Sequence, residues 1–103
     1  MKTDRELLEL AAKAAGIELK YNYLWRRDAR QPWNPLTDDG DALRLAEFLG
    51  LTVCMDGIGT VSTCDQVRTD VFITQDIREC KSRIEATRRA ITRAAAAIGE
   101  SMP

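Results

Sequence analysis

Apolar residues at helical spacing predict an amphipathic helix over residues 4–15. Its stripe consists of Leu7, Leu8, Ala11, Ala14 and Ala15. These positions share one side of a helix that has 3.6 residues per turn. Thr3 and Glu6 have the spacing of a capping box, in which each side chain bonds the other residue's backbone amide. Gly16 follows, where a left-handed residue commonly ends a helix.

The next segment, residues 17–25, alternates between apolar and polar side chains. Every second position is apolar: Ile17, Leu19, Tyr21, Tyr23 and Trp25. A period of two predicts one half-buried strand, with Trp25 directed to the core. Residues 26–36 contain Pro32 and Pro35, which lack an amide hydrogen, so this segment is predicted to form a loop.

A second helix is predicted to end at Leu49, before Gly50, with Thr37 and Asp38 as alternative N-caps. Its apolar stripe consists of Ala42, Leu45, Ala46 and Leu49, widened by Leu43 and Phe48. Three carboxylates, Asp38, Asp39 and Asp41, crowd its first turn. Negative charge is favourable there because the amino end of a helix dipole is positive.

A run of β-forming residues at 51–55 ends at Asp56-Gly57, a strong turn signal. Residues 59–64 are predicted to return as the antiparallel partner, and residues 67–75 to form a further strand. Cys54 and Cys64 could face each other across this hairpin, which is compatible with one disulfide bond.

The last helix is predicted over residues 82–98. Ile84, Ile91 and Ile98 recur every seven residues on one face, and Gly99 is expected to end the helix. Two capping-box spacings offer alternative starts, one beginning at Asp76 and one at Ser82. We favour the later start, because Ile77 continues the alternation of the preceding strand.

These elements predict an α+β protein. The expected fold is a small antiparallel β-sheet of three to four strands packed against three α-helices, in the order α-β-α-β-β-β-α. Short hairpin connections exclude a doubly wound parallel sheet, which requires long crossovers between strands. A chain of 103 residues has room for one core, so residues 1–103 are expected to form a single domain.

Composition narrows the function classes. The chain has 15 basic and 16 acidic residues and a net charge of -1, which disfavours a nucleic-acid coat or a polybasic membrane binder. It has no histidine, so the commonest general base and imidazole metal ligand are missing. We therefore expect no enzyme activity, no catalytic residues and no cofactor.

Targeting signals and cysteine usage indicate a compartment. Three cysteines cannot all pair within one chain, and small buried thiols are typical of the reducing cytoplasm. The first residues are charged, without the apolar core of a signal peptide. No apolar run approaches the length of a membrane span. We expect a soluble cytoplasmic protein that does not bind membranes.

Charged and aromatic groups provide the candidate sites. The carboxylates of Asp38, Asp39 and Asp41 lack the alternating spacing of a calcium loop, so helix capping is favoured over a metal site. Two groups of arginines stand out. The first group is Arg26, Arg27 and Arg30 near Trp33, and the second is Arg88, Arg89 and Arg93 on the last helix.

Arginine beside tryptophan suits a protein interface, and clustered arginines also suit phosphate groups. The candidate partner-binding residues are Arg26, Arg27, Arg30, Trp33, Asp38, Asp39 and Asp41. The alternative site, for phosphate, is Arg88, Arg89 and Arg93. An ordinary solvated helix face explains the second group equally well, and Trp33 could instead pack the loop onto the domain.

Three blocks of the sequence resemble small phage and prophage proteins of the phage ABA-sandwich group. They are LLELAAKAAGI at 7–17, WNPLTDDGDALRLA at 33–46 and ATRRAITRAAAAIG at 86–99. The resemblance implies an α/β sandwich and a phage origin, and it brings no catalytic residues. Small accessory phage proteins often bind and block host machinery, including CRISPR–Cas and other defence systems.

The leading hypothesis is therefore a non-enzymatic phage or prophage binding protein that inhibits a host defence protein by protein–protein contact, in an anti-CRISPR or other anti-defence role. A homodimer is compatible with its mixed surface charge. The alternative hypothesis is a nucleotide or nucleic-acid binder, including a sponge for a signalling nucleotide, which would use Arg88, Arg89 and Arg93.

Overall fold

The computed structural model describes residues 2–20, 25–26, 31–55, 60–65 and 72–102. Its helices are α1 (Asp4–Ala15), α2 (Asp39–Leu49) and α3 (Arg83–Ser101), with a 3₁₀ turn at Ile77–Glu79. Its strands are β1 (Leu19–Lys20), β2 (Trp25–Arg26), β3 (Gln31–Pro32), β4 (Leu51–Met55), β5 (Thr60–Asp65) and β6 (Phe72–Asp76). The predicted α+β class is confirmed.

Local capping decides where the helices begin and where α1 and α2 end, at residues that the sequence indicates. Thr3 and Glu6 form the complete capping box of α1. Asp38, rather than Thr37, is the N-cap of α2, and Ser82 is the N-cap of α3. Gly16 and Gly50 end α1 and α2 with positive φ angles of 69° and 68°, a conformation that glycine adopts without steric cost.

The segment before α2 differs from the prediction. Leu19–Lys20 and Trp25–Arg26 are antiparallel partners, with Lys20 opposite Trp25, so they cannot belong to one continuous strand over 17–25. Gln31–Pro32 pairs with Trp25–Arg26 inside the predicted loop. Pro32 is tolerated because β3 is the edge strand of this three-stranded arrangement, where a missing amide donor breaks no central ladder.

Strands β4, β5 and β6 pair antiparallel in chain order. The register places Cys54 opposite Ser62 and Thr52 opposite Cys64. Cys54 is a free, exposed cysteine, so the bridge to Cys64 with which the sequence is compatible is not present. Because Cys64 lies opposite Thr52 and not opposite Cys54, the two cysteines are offset by two positions along the hairpin.

Helix α3 is the centre of the packing. It contacts α1, α2, the 3₁₀ turn and all three of β4, β5 and β6. Its contacting face is made largely of small residues: Ala86, Ala90, Ala94, Ala95 and Ala96 are all buried. Small side chains let neighbouring backbones approach closely, so one helix can pack against several elements.

Gly99 marks a close approach between the backbones of α3 and α1. It lies inside α3, which continues to Ser101, so the prediction that Gly99 ends the helix is wrong. A methyl group at this position would overlap the carbonyl oxygen of Leu10 in α1. The glycine is required by the contact between the two helices, which no local pattern reveals.

Three large apolar residues assigned to buried stripes are exposed. Leu43 is 69% and Phe48 66% exposed on α2, and Ile84 is 47% exposed at the start of α3. Helix α2 buries the stripe that faces its neighbours, which includes Ala42, Leu45 and Ala46, whereas α3 buries a broad face that includes Ile91 and Ile98 as well as its alanines. Leu43 and Phe48 flank the α2 stripe, and Ile84 lies beyond the central part of the α3 face.

Candidate functional site

The acidic turn before α2 is an internal hydrogen-bond network. The Asp38 carboxylate accepts a hydrogen bond from the Asp41 amide at 2.8 Å, as an N-cap residue does. Asp41 is only 7% exposed, and its two carboxylate oxygens accept from the Asn34 amide at 3.0 Å and from Arg44 at 2.8 Å. The capping interpretation is confirmed, and Asp41 is unavailable as a partner contact.

Asp39 and Arg88, predicted to belong to different binding surfaces, contact each other. Arg88 Nη1 donates to Asp39 Oδ1 at 2.6 Å, and Arg88 Nε donates to the backbone carbonyl of Leu36 at 2.9 Å. The Arg88 side chain is 17% exposed. Its charge is therefore compensated inside the chain, which makes Arg88 less suited to phosphate binding than an arginine without a carboxylate partner.

Trp33 lies in the core. It is 2% exposed and clusters with Leu8, Leu36 and Ala42 among others. Trp33 therefore presents almost no surface to a partner, and its burial supports the alternative that it packs the loop onto the domain. Arg26 belongs to β2. Arg27 and Arg30 lie outside the described residues, so their predicted role stays a prediction.

A surface that the sequence did not indicate lies on α2. Leu43, Arg44, Glu47 and Phe48 are all exposed. They occupy two adjacent rows of the helix, since residues four apart are neighbours on its surface. We call these four residues the α2 outward face. The available signal was that Leu43 and Phe48 fall outside the four-residue stripe of Ala42, Leu45, Ala46 and Leu49.

The other two arginines of the predicted phosphate site, Arg89 and Arg93, differ in their partners. Arg89 donates from both Nη atoms to Asp4 Oδ1 at 3.2 Å. Arg93 Nη1 donates to the Thr74 carbonyl at 3.2 Å and to Gln75 Oε1 at 2.8 Å. Among the described residues no carboxylate lies within ion-pair distance of Arg93, so its charge is not compensated by a direct partner.

Arg89 and Arg93 line a groove that the sequence could not predict. It has a volume of about 810 Å³ and is bordered by α1, β6, the 3₁₀ turn and α3. Leu7, Ile73, Ala96 and Ala97 form its apolar wall, and Lys2, Gln75, Glu79 and Glu100 add polar groups. Clefts of this size are typical of small-molecule sites.

The cysteines with described side chains have different environments. Cys54 is exposed on β4, whereas Cys80 is half-buried beside the 3₁₀ turn. Burial raises the pKa of the Cys80 thiol, and the nearby Glu85 carboxylate raises it further. A raised pKa keeps a thiol protonated and unreactive, which does not suit a nucleophile.

Neither a metal site nor a membrane span is found in the parts of the chain that the structure describes. Within the described ranges, no three cysteine, aspartate or glutamate residues are grouped so that they could hold a metal ion. None of the described helices has the length and apolar content needed to cross a bilayer.

Comparison with known proteins returned no match to a protein-family model, a curated protein or a solved structure. The resemblance of three sequence blocks to phage ABA-sandwich proteins therefore stays a prediction.

Proposed function

We propose that this chain is a non-enzymatic binding protein that contacts another protein through the α2 outward face. The observation that carries the proposal is the exposure of Leu43 and Phe48, both about two-thirds accessible. Water contact with large apolar side chains is unfavourable by roughly 25 cal/mol per Å². A partner that covers them would recover this free energy on binding.

The charged members of the face favour a specific contact. Arg44 lies between the two apolar residues and is held by Asp41 at 2.8 Å. An arginine held in one position loses less conformational freedom on binding than a mobile one. Apolar side chains around an arginine are also the composition found at the centres of protein interfaces.

The class of partner is proposed from the sequence. The blocks that resemble phage proteins suggest a host protein, such as a component of a defence system, which binding would inhibit in the cytoplasm of the bacterial cell. The absence of histidine from the chain favours action by binding over catalysis.

We also propose that residues 1–103 form one α/β sandwich, with a small sheet packed against the three helices. Support comes from α3, which contacts both other helices and three strands. In this arrangement the α2 outward face is the side of α2 that none of the described elements covers.

The proposal is tested by affinity purification from a bacterial host lysate with three baits. They are the wild-type chain, the double variant Leu43→Asp/Phe48→Asp, and the control Ile84→Asp, which removes an exposed apolar residue from α3. We expect one or a few host proteins bound by the wild type and the control and lost with the double variant. Binding is then reconstituted with the purified partner.

The double variant should retain the melting temperature of the wild type, because neither side chain is buried. The proposal would be contradicted if the purification recovers no host protein whose binding depends on Leu43 and Phe48. If light scattering shows that the wild type is a dimer and the double variant a monomer, the partner of the α2 outward face is a second copy of this chain and not a host protein.

A further inference from the structure

The groove between α1, β6 and α3 carries a separate inference. We propose that it binds a small organic phosphate monoester, with Arg93 as the contact to the phosphate group. The inference does not depend on the α2 outward face, which lies on another helix. Of the three arginines that the sequence offers as a phosphate site, only Arg93 is assigned as the contact to phosphate. Gln75 is added as a second contact.

Arg93 has unused hydrogen-bonding capacity. Its Nη1 makes both contacts, to the Thr74 carbonyl and to Gln75 Oε1. Its Nε and Nη2 have no acceptor in the described part of the chain, although a guanidinium carries five N–H donors. The two existing hydrogen bonds hold the planar group in place, and the Nε and Nη2 edge of a guanidinium can bind a phosphate with two parallel hydrogen bonds.

Gln75 provides a second donor in the same groove. It is 4% exposed, and its Oε1 is occupied by Arg93 at 2.8 Å. Its Nε2 contacts only the carbonyl of Asp76, at 3.5 Å, the outer limit of a hydrogen bond. A buried amide that lacks good acceptors is costly, so a ligand oxygen at this position would be stabilised.

The charge balance of the groove limits the ligand. Lys2 pairs with Glu100 at 2.5 Å and Arg89 pairs with Asp4 at 3.2 Å, whereas Arg93 has no direct counter-charge among the residues that the structure describes. Glu79 also lines the groove and would repel a highly charged ligand. One free guanidinium beside a carboxylate favours a monophosphate over a triphosphate.

The remaining wall favours an organic ligand over a bare ion. Ile73, Ala96, Ala97 and Leu7 present an apolar surface beside the polar end. A volume of about 810 Å³ exceeds what a phosphate ion needs and lies within the range for nucleotide-sized molecules. The apolar wall would contact the organic part while Arg93 holds the phosphate.

The test measures binding of adenosine 5′-monophosphate, adenosine, inorganic phosphate and adenosine triphosphate by NMR titration at low salt. We expect saturable binding of the monophosphate, with shifts at α3 and β6, and weaker binding of the other three. Arg93→Gln should weaken monophosphate binding by about tenfold or more, the loss expected for a charge-assisted hydrogen bond. Arg44→Gln, on the far helix α2, should bind as the wild type does.

The variant Gln75→Glu tests whether monophosphate binding can be lost while the fold is kept. It keeps the shape of the side chain and places a carboxylate against Arg93, which should preserve the fold and abolish monophosphate binding. Circular dichroism checks that each variant is folded. Absence of saturable binding to the wild type up to about 10 mM would overturn the inference. So would undiminished affinity in folded Gln75→Glu or Arg93→Gln.

The outcome is independent of the proposed protein partner. Leu43→Asp/Phe48→Asp should bind the monophosphate as the wild type does. Coincident loss of both activities in that variant would contradict the assignment of the ligand to the groove.

Discussion

Single residues carry roles in this protein that their sequence neighbourhood does not indicate. Gly99 follows a strongly helical run and has the position of a helix end, yet it lies within α3 against the Leu10 carbonyl. Trp33 lies between two proline-containing pairs, which are typical of an exposed loop, yet it is 2% exposed. Both roles depend on which element packs opposite.

Gly99→Ala is expected to destabilise the protein. Alanine raises helix propensity by about 1 kcal/mol, but its methyl group would force α1 away from α3, and overpacking costs about 1–3 kcal/mol or more. The free energy of unfolding, measured in urea, should therefore fall. Gly40→Ala is the control, because its added methyl group would meet only the ends of the Arg44 and Asp38 side chains, at 3.2–3.3 Å, and no backbone atom. A Gly99→Ala protein as stable as the wild type would show that the helices can separate freely.

At the scale of elements, short polar side chains begin every helix. The two capping signals considered as alternative starts of the last helix are both used: Asp76 caps the 3₁₀ turn and Ser82 caps α3. The sequence offered them as competitors because each has the same three-residue spacing. The helical conformation is interrupted between them at Cys80, whose backbone is extended.

The cap at Asp76 should make stability depend on pH. Hydrogen bonds from the Arg78 side chain and amide lower the pKa of Asp76. The carboxylate therefore stabilises the folded state fully above its unfolded pKa, and this stabilisation is lost as the pH falls through the lower folded pKa. Asp76→Asn should be less stable than the wild type at pH 7, and the difference should shrink in acid.

Melting temperatures measured between pH 7 and about pH 2 test this expectation. Arg78→Gln should cause a similar loss at pH 7, and the double variant should lose little more, because both substitutions remove the same interaction. A constant difference between Asp76→Asn and the wild type across the whole range would rule out the ion pair as its source.

At the scale of the whole molecule, the net charge of -1 hides internal compensation. The acidic first turn of α2 and the basic face of α3 are far apart in sequence, and Arg88 joins them through Asp39 and the Leu36 carbonyl. Arg89 similarly joins α3 to Asp4 at the start of α1. These contacts connect α3 to both other helices.

The Arg88 contacts should differ in their contribution to stability. Arg88→Met removes the hydrogen bond to the Leu36 carbonyl and should cost about 1–3 kcal/mol. Asp39→Ala removes only an ion pair whose carboxylate is 68% exposed, so its cost should be about 0–1 kcal/mol. Urea denaturation of both variants measures the two costs. Equal losses would mean that the ion pair, and not the carbonyl contact, links the helices.

Much of the local structure could be predicted, and much of the candidate site could not. The limits of α1, the caps at Asp38 and Ser82 and the glycines that end α1 and α2 follow from contacts within four residues along the chain. Arg93 was identified as a candidate phosphate contact. Gln75 was not, because its burial and its bond to Arg93 join residues that are 18 positions apart.

The sequence by itself determined the α+β class and narrowed the start of each helix to one or two capping residues, because periodicity and capping act over one or two helical turns. The tertiary structure alone decided that Asp39 compensates the charge of Arg88 and that Arg93 keeps donors without an acceptor among the described residues. It also decided that Leu43 and Phe48 are exposed and that Gly99 is a packing contact. Each of these depends on how close distant segments approach. Local pattern contains no information about that distance, which only the packing around α3 sets.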